Sequence, residues 1–239
     1  VLTGAGNGYD GGGFRFGGTL AVALVEIVLH LSVVVVCLML LGTVAGNHIS
    51  LGADFIAMPG HKGLYGPQGT GLLLCGARSH PLMEGGTGSS SARQEMPDFL
   101  PDRLEAGTHN IPGIAGLLEG LRFVRQRGVE HIGEHESRLI CRMARGLEEI
   151  KGVRVFAQQP GDTCQSGVLS FCVEDMDCED VGQRLARAGF AVRCGLHCAP
   201  AAHESAGTLE CGTIRASVSA FNSKREVECF VRAVAAIRR

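Results

Sequence analysis

Asp54-Phe-Ile-Ala-Met-Pro-Gly-His-Lys-Gly-Leu-Tyr-Gly-Pro-Gln-Gly-Thr-Gly71 is an apolar, strand-like run that ends at Gly60-His61-Lys62 and passes into a glycine-rich loop. Gly60 and Gly63 flank the lysine, permitting a tight turn and close approach of a ligand. The hydrophobic residues before it would desolvate its ammonium. A lysine in that setting is equipped to form a Schiff base. Taken alone, such a turn is more often a solvated loop, so the rest of the chain has to decide.

Composition narrows the choice. With 239 residues, 45% hydrophobic, and a formal net charge of −2, the chain can bury a core and has no bias toward nucleic acid or acidic lipid. Tryptophan is absent and aromatics make up 5%, which leaves little for base stacking. The ten cysteines have no framework spacing, which points to a reducing cytoplasm. Apart from Cys194 and Cys198 they read as small buried hydrophobes.

Two further blocks follow the lysine in order. The first is Glu84-Gly-Gly-Thr-Gly88 with Leu100-Pro-Asp-Arg-Leu-Glu-Ala-Gly-Thr-His-Asn-Ile-Pro-Gly-Ile-Ala115. The second is Ala191-Val-Arg-Cys-Gly-Leu-His-Cys-Ala-Pro200 with Gly212-Thr-Ile-Arg-Ala-Ser-Val-Ser-Ala-Phe-Asn222. Together the three blocks resemble the class V aminotransferase family of pyridoxal-phosphate (PLP) enzymes, in its cysteine desulfurase and selenocysteine lyase branch. The resemblance covers about Gly42 to the C-terminus.

The resemblance implies roles. Lys62, preceded by His61 as in that branch, would carry PLP and later serve as base; His61 and Thr87 would help hold the cofactor. The hydroxyl-rich loop Thr87-Gly88-Ser89-Ser90 offers donors to a phosphate, in the family that of the other subunit. Arg103, Glu105, Gly107, Thr108 and Asn110 match a signature that borders the active site near a dimer interface, with Asn110 on the substrate side. Arg215 would grip the substrate carboxylate, as a planar, permanently charged guanidinium can do bidentately. Cys198 would attack the substrate sulfur and leave as a persulfide, and Arg193 would assist the carboxylate or the thiol.

A compact zinc site is the competing reading of Cys194, His197, Cys198 and His203. Against it, three residues separate the two cysteines, no second cysteine pair lies at finger spacing, and Arg193 would set positive charge beside a cation. We assign no metal there.

Periodicity predicts helices over 111–127 and 129–150, with Ile132, Leu139, Ile140, Met143 and Leu147 on one face of the second. Strands are expected at 153–156, 167–173, 190–193 and 214–218, and helices at 179–188 and 223–237. The charges between the apolar helix positions read as a solvated face. The fold class expected is α/β, a fold-type I PLP-dependent transferase: a partial large domain with a mainly parallel sheet, plus a C-terminal α+β small domain. The domains would be an aberrant segment 1–45, a remnant of the PLP-binding domain over 46–128, and a small domain over 129–239 whose Cys198 and Arg215 face Lys62 across a cleft.

The first 45 or so residues depart from the family pattern, with a glycine-rich start followed by the apolar run Leu20–Val44. Counting back from Gly52-Ala53-Asp54, the family's Asp-x-x-Gln pair falls on Val36 and Met39; neither can partner a pyridine nitrogen. Three readings stay open. A transmembrane helix is long enough but holds Glu26 and His30, and a buried strand suits Val33–Val36. The third is a frame-shifted segment, since the codons of Leu38-Met39-Leu40-Leu41 can read Asp-Ala-Ala one frame away. The expected function is a truncated cysteine desulfurase-like enzyme acting on cysteine or selenocysteine, with a sulfur-acceptor protein and a homodimeric assembly. The alternatives are an aminotransferase or epimerase on the same fold, or a catalytically inactive fragment.

Overall fold

The computed structural model of the chain describes residues 55–75, 80–90, 92–156 and 167–238. The apolar run Leu20–Val44, the positions of Val36 and Met39, and the expected parallel strand all lie outside them. The described residues form two compact units that divide between Val124 and Arg125.

In the first unit, β1 (Phe55–Pro59) and β2 (Gly71–Cys75) form an antiparallel hairpin in which Pro59 pairs with Gly71. The residues between them are the lysine turn. A 3-10 turn (Asp102–Leu104) and helix α1 (Ile111–Arg127) follow. Gly113, Gly116 and Gly120 recur at spacings of three and four, so they share one helix face. That face meets the lysine turn: a Cβ on Gly116 would lie 3.1 Å from Pro67 Cδ, and one on Gly120 would lie 2.8 Å from the Tyr65 carbonyl carbon. Leu64 and Leu117 are buried in this contact, and Tyr65 packs edge-on to Phe123 at 5.1 Å.

The second unit contains α2 (Val129–Glu148), β3 (Val153–Phe156), β4 (Val168–Val173), α3 (Cys178–Arg187), β5 (Arg193–Gly195), α4 (Pro200–Ala206), β6 (Thr213–Ser217) and α5 (Lys224–Arg238). Its four strands pair antiparallel in the order β3-β4-β6-β5. Along β4, Leu169, Phe171 and Val173 are buried while Val168, Ser170 and Cys172 are half-buried, the period-two alternation of a sheet packed on one face. The buried face joins Ile214 and Ala216 of β6 to Leu139, Ile140, Met143 and Leu147 of α2, Val181 and Leu185 of α3, and Val227, Phe230 and Val234 of α5. Asp177 caps α3 by accepting from Glu179 N and Asp180 N. Ser223 and Glu226 form a reciprocal capping box at the start of α5.

Several expectations shift. The strand expected at 190–193 lies at Arg193–Gly195, because Phe190 first packs on Phe230 at 5.4 Å and ladder pairing begins at Arg193. Helix α4, not expected, starts on Pro200, whose fixed φ suits a first helical position, and ends at left-handed Gly207. Cys141 and Cys211 are exposed, not buried hydrophobes: Cys141 lies on the outer face of α2 and Cys211 in the turn before β6. Pairing in the first unit is antiparallel among the described residues. No helix among them is long and apolar enough to cross a membrane.

Gly120→Ala tests the close approach of α1. In an exposed helix interior this change stabilises by about 1 kcal/mol; here the new methyl would meet the carbonyls of Leu64 and Tyr65. Urea unfolding should report a loss of about 1–3 kcal/mol, the usual cost of overpacking, and a gain in stability would refute the packing.

Candidate active site

The lysine turn is held by its own backbone. Gly60 N donates to Thr70 O (2.8 Å), Gly66 N to Gly60 O (2.8 Å), and Tyr65 N to Lys62 O (3.0 Å). Tyr65 adopts a left-handed φ of 55°, and a Cβ on Gly60 would lie 2.9 Å from Thr70 O, so only glycine fits there. Lys62 is half-buried and His61 exposed. Among the described residues no ion pair engages the Lys62 ammonium. An amine fixed at its base, partly shielded and unpaired is suited to covalent attachment of a carbonyl compound.

The second expected element of this unit is the Thr87 loop. Thr87 and Ser89 hydroxyls lie 3.0 Å apart, and Ser89 donates to the Asp102 carboxylate. Gly107 N donates to Gly86 O at 2.8 Å, tying the Arg103–Asn110 signature to this loop. A shallow cavity of ≈ 340 Å³ is lined by Gly85, Gly86, Thr87, Ser90 and Arg93. Asn110 caps α1: its Oδ1 accepts from Gly113 N at 3.0 Å. Among the described residues no hydrogen bond joins Thr87 or Asn110 to Lys62.

In the second unit the pleat brings cations together. Arg193 pairs in register with Arg215, and Arg215 with Ser170. Paired residues of antiparallel strands project from the same face, here the face opposite the core. Arg193 Nη2 lies 3.8 Å from Cys198 Sγ. Arg215 Nε is buried and has no partner among the described residues. Burial, and then Arg193, lower the Arg215 pKa from its ordinary value, yet a guanidinium stays charged at neutral pH. Thus an exposed thiol lies beside two guanidiniums, one with a buried donor that awaits an acceptor.

Behind Cys198 is a buried polar chain that sequence reading misses. His197 Nε2 is 3.1 Å from Thr213 O and 3.0 Å from Thr213 Oγ1. The carbonyl can only accept, so Nε2 carries the proton. The His197 and His203 rings are 5.6 Å apart, and His203 Nδ1 bonds Thr208 Oγ1 at 2.8 Å. Both histidines are therefore engaged with threonines, while Cys194 lies on the helix side of the sheet against Gly182. Thr208 belongs to no motif, and Thr213, though inside the Gly212–Asn222 block, carries no role there. The only sequence signal is their place beside glycines that open tight turns, Gly207 and Gly212.

Residues 41–230 match the aminotransferase class-V family. The chain belongs to that family. It is 34% identical over 197 residues to a probable cysteine desulfurase of Xylella fastidiosa, covering 80% of this chain and 46% of that protein. A probable cysteine desulfurase of Methanothermobacter thermautotrophicus is 35% identical over 188 residues, covering 75% and 46%. Among solved structures, an apo cysteine desulfurase from Thermococcus onnurineus superposes with a TM-score of 0.68 at 34% identity, over 79% of this chain and 48% of that one. A cysteine desulfurase from Escherichia coli gives 0.65 at 29% identity, over 78% and 46%. The chain thus spans about half the length of the relatives it matches.

The class-V family is PLP-dependent, on the fold-type I scaffold. The described residues fit that cofactor at its attachment point, where Lys62 offers an unpaired amine on a rigid turn. The positions expected to carry the ring-nitrogen partner are Val36 and Met39 in sequence.

The His197 environment sets a pH dependence. Burial, then the Arg215 charge, push its pKa down to about 4 from 6.5, and Nδ1, which would have to take the second proton, is buried without a partner among the described residues. Below pH 6.5 the unfolded chain takes up a proton that the folded chain refuses until about pH 4. The contribution of neutral His197 to stability is therefore full above about pH 6.5 and declines as pH falls toward about 4. Thermal unfolding followed across that window should lose less stability in His197→Gln than in the parent chain; equal slopes would refute the assignment.

Proposed function

We propose that this class-V chain carries the lysine, thiol and carboxylate-binding groups of a PLP-dependent cysteine desulfurase. The observation that carries the reading is the contact between Cys198 Sγ and Arg193 at 3.8 Å, with Arg215 beside it in register and its Nε unfilled. A nucleophilic thiol next to a cationic carboxylate clamp is what sulfur transfer from an amino acid requires.

Lys62 holds the cofactor and moves a proton between its Nζ and the substrate carbon. His61, adjacent, and Thr87, on the hydroxyl loop, serve the cofactor's ring and phosphate. PLP, when bound there, supplies an electron sink for the substrate's carbon framework. Arg215, helped by Arg193, binds the α-carboxylate, and Asn110 lies on the substrate side of the signature. Cys198 attacks the sulfur of cysteine, or the selenium of selenocysteine: the substrate's carbon–sulfur bond breaks, a bond between Cys198 and the transferred atom forms, and alanine leaves with the thiol proton. In the same reading residues 46–128 belong to the PLP-binding domain and 129–239 to the small domain. The exposure of Cys198 supports hand-over of the sulfur to an acceptor protein. In the same reading the hydroxyl-rich Thr87 loop serves the phosphate of the partner subunit in a homodimer. The free thiols of Cys141, Cys172, Cys178, Cys194, Cys198, Cys211 and Cys229 support a cytoplasmic setting.

A second reading, a chain that folds without catalysing, is favoured by Val36 and Met39 where an acid and an amide are expected. An aminotransferase or epimerase would keep Lys62 and Arg215 with no demand for Cys198.

The experiment is incubation with PLP, borohydride reduction and peptide mapping, followed by assay with cysteine. A label on Lys62, absent in Lys62→Ala, together with sulfide release that Cys198→Ala abolishes while keeping the cofactor absorbance, is the expected result. Label without Cys198-dependent sulfide would favour the aminotransferase reading, and no label on a folded chain the inactive one.

A further inference from the structure

His197 and Cys198 are consecutive non-glycine residues with φ of 53° and 61°. L side chains occupy this left-handed region at a cost, and an unrestrained histidine or cysteine leaves it. Something must hold both residues there.

The restraint visible in the structure is the imidazole of His197. Its Nε2 donates to the Thr213 carbonyl at 3.1 Å and lies 3.0 Å from the Thr213 hydroxyl. The ring is backed by His203 at 5.6 Å, which is fixed in turn by Thr208 Oγ1 at 2.8 Å, while Thr208 N donates to His203 O at 2.8 Å. Thr213, His203 and Thr208 are all buried, so the anchor points do not depend on solvent-exposed side chains. Thr213 opens β6, two residues before Arg215. The strand that carries the carboxylate clamp therefore also carries the anchor of the thiol turn.

We propose that His197 is a positioning residue whose anchor on Thr213 holds the left-handed turn and so keeps the Cys198 thiol against Arg193. Released from Thr213, the turn relaxes toward right-handed or extended backbone, the direction of the Cys198 Cα–Cβ bond changes, and Sγ leaves the guanidinium. The inference deepens the reading of Cys198 as the sulfur acceptor and rests on it for its functional meaning. The geometry itself needs neither bound PLP nor turnover.

The test is therefore alkylation of the full chain, resolved by site through peptide mass mapping. Anionic iodoacetate is attracted by a cation beside the thiol and neutral iodoacetamide is not, so the ratio of their rates at Cys198 reports the nearness of Arg193. In His197→Leu, which keeps bulk but has no donor for Thr213 and no tolerance of left-handed backbone, and in His197→Ala, the ratio should fall by about fivefold, the factor for one unit charge about 4 Å away in water. Arg193→Gln should produce the same fall, and the ratio at exposed Cys141 should not move in any variant. An unchanged ratio at Cys198 in the folded Leu or Ala variant, or in Arg193→Gln, overturns the proposal. Failure of the Lys62 labelling experiment would leave this result untouched, so the two proposals fail separately.

Discussion

The pleat of β4 and β6 is the constraint from which the second unit follows. Every second residue, Leu169, Phe171 and Val173 on one strand and Ile214 and Ala216 on the other, is buried against three helices. The residues between them must then face the other way, and they include Ser170 and Arg215, with Arg193 in register on β5. A slip of one residue would turn Arg215 into the core, where an unpaired guanidinium costs several kcal/mol. The hydrophobic pattern that stabilises the sheet therefore also fixes the register of the arginine pair.

The same division explains the cysteines. Cys178 and Cys194 lie toward the helices, and burial, before any charge, raises their thiol pKa values. Cys172 lies on the other face, and both it and Cys211 donate to Gly212 O, at 3.5 Å and 3.4 Å; burial first and Cys211 second push the Cys172 thiol up to about 11. Cys172, Cys178 and Cys194 are thereby biased toward the neutral thiol, the less nucleophilic form. Cys198 differs in kind, since it is exposed on a turn beside a cation and strained backbone presents it. Two left-handed residues in succession cost about 1–2 kcal/mol each, tolerable only in a unit whose core and buried threonines over-determine the turn.

Much of this was legible in the sequence because it depends on spacing. The glycines around Lys62 announce a turn, the 3.6-residue period announces α1 and α2, and the short apolar run at 167–173 announces a strand. The arginine–cysteine spacing places Cys198 near Arg193 once β5 is known to end at Gly195. What could not be read depends on partners far along the chain. Thr213 and Thr208 matter only because His197 and His203 fold onto them, and a threonine has no periodic signature. Asn110 looks like a ligand-binding residue inside a motif, yet locally it satisfies an orphan N–H at the start of α1. The strand at 190–193 was displaced because tertiary packing of Phe190 outweighed local β-propensity. Glu136, almost fully buried on α2, had read as part of a solvated charged face. It instead lies against Gly167 at the start of β4.

Electrostatics adds a last step. Burial first, and then the neighbouring charge of Arg193, lower the preference of Arg215 for its charged form. Among the described residues no carboxylate is ion-paired with either arginine. Two guanidiniums on one face without an acid are a standing cost, relieved whenever an anion binds, and the buried Nε of Arg215 gives that anion a directed hydrogen bond as well as a field. A carboxylate satisfies both, and a thiolate at Cys198 satisfies part of the charge while leaving the donor free. For that reason the outer face of β5 and β6 is built to receive an anion at the Arg193–Arg215 pair.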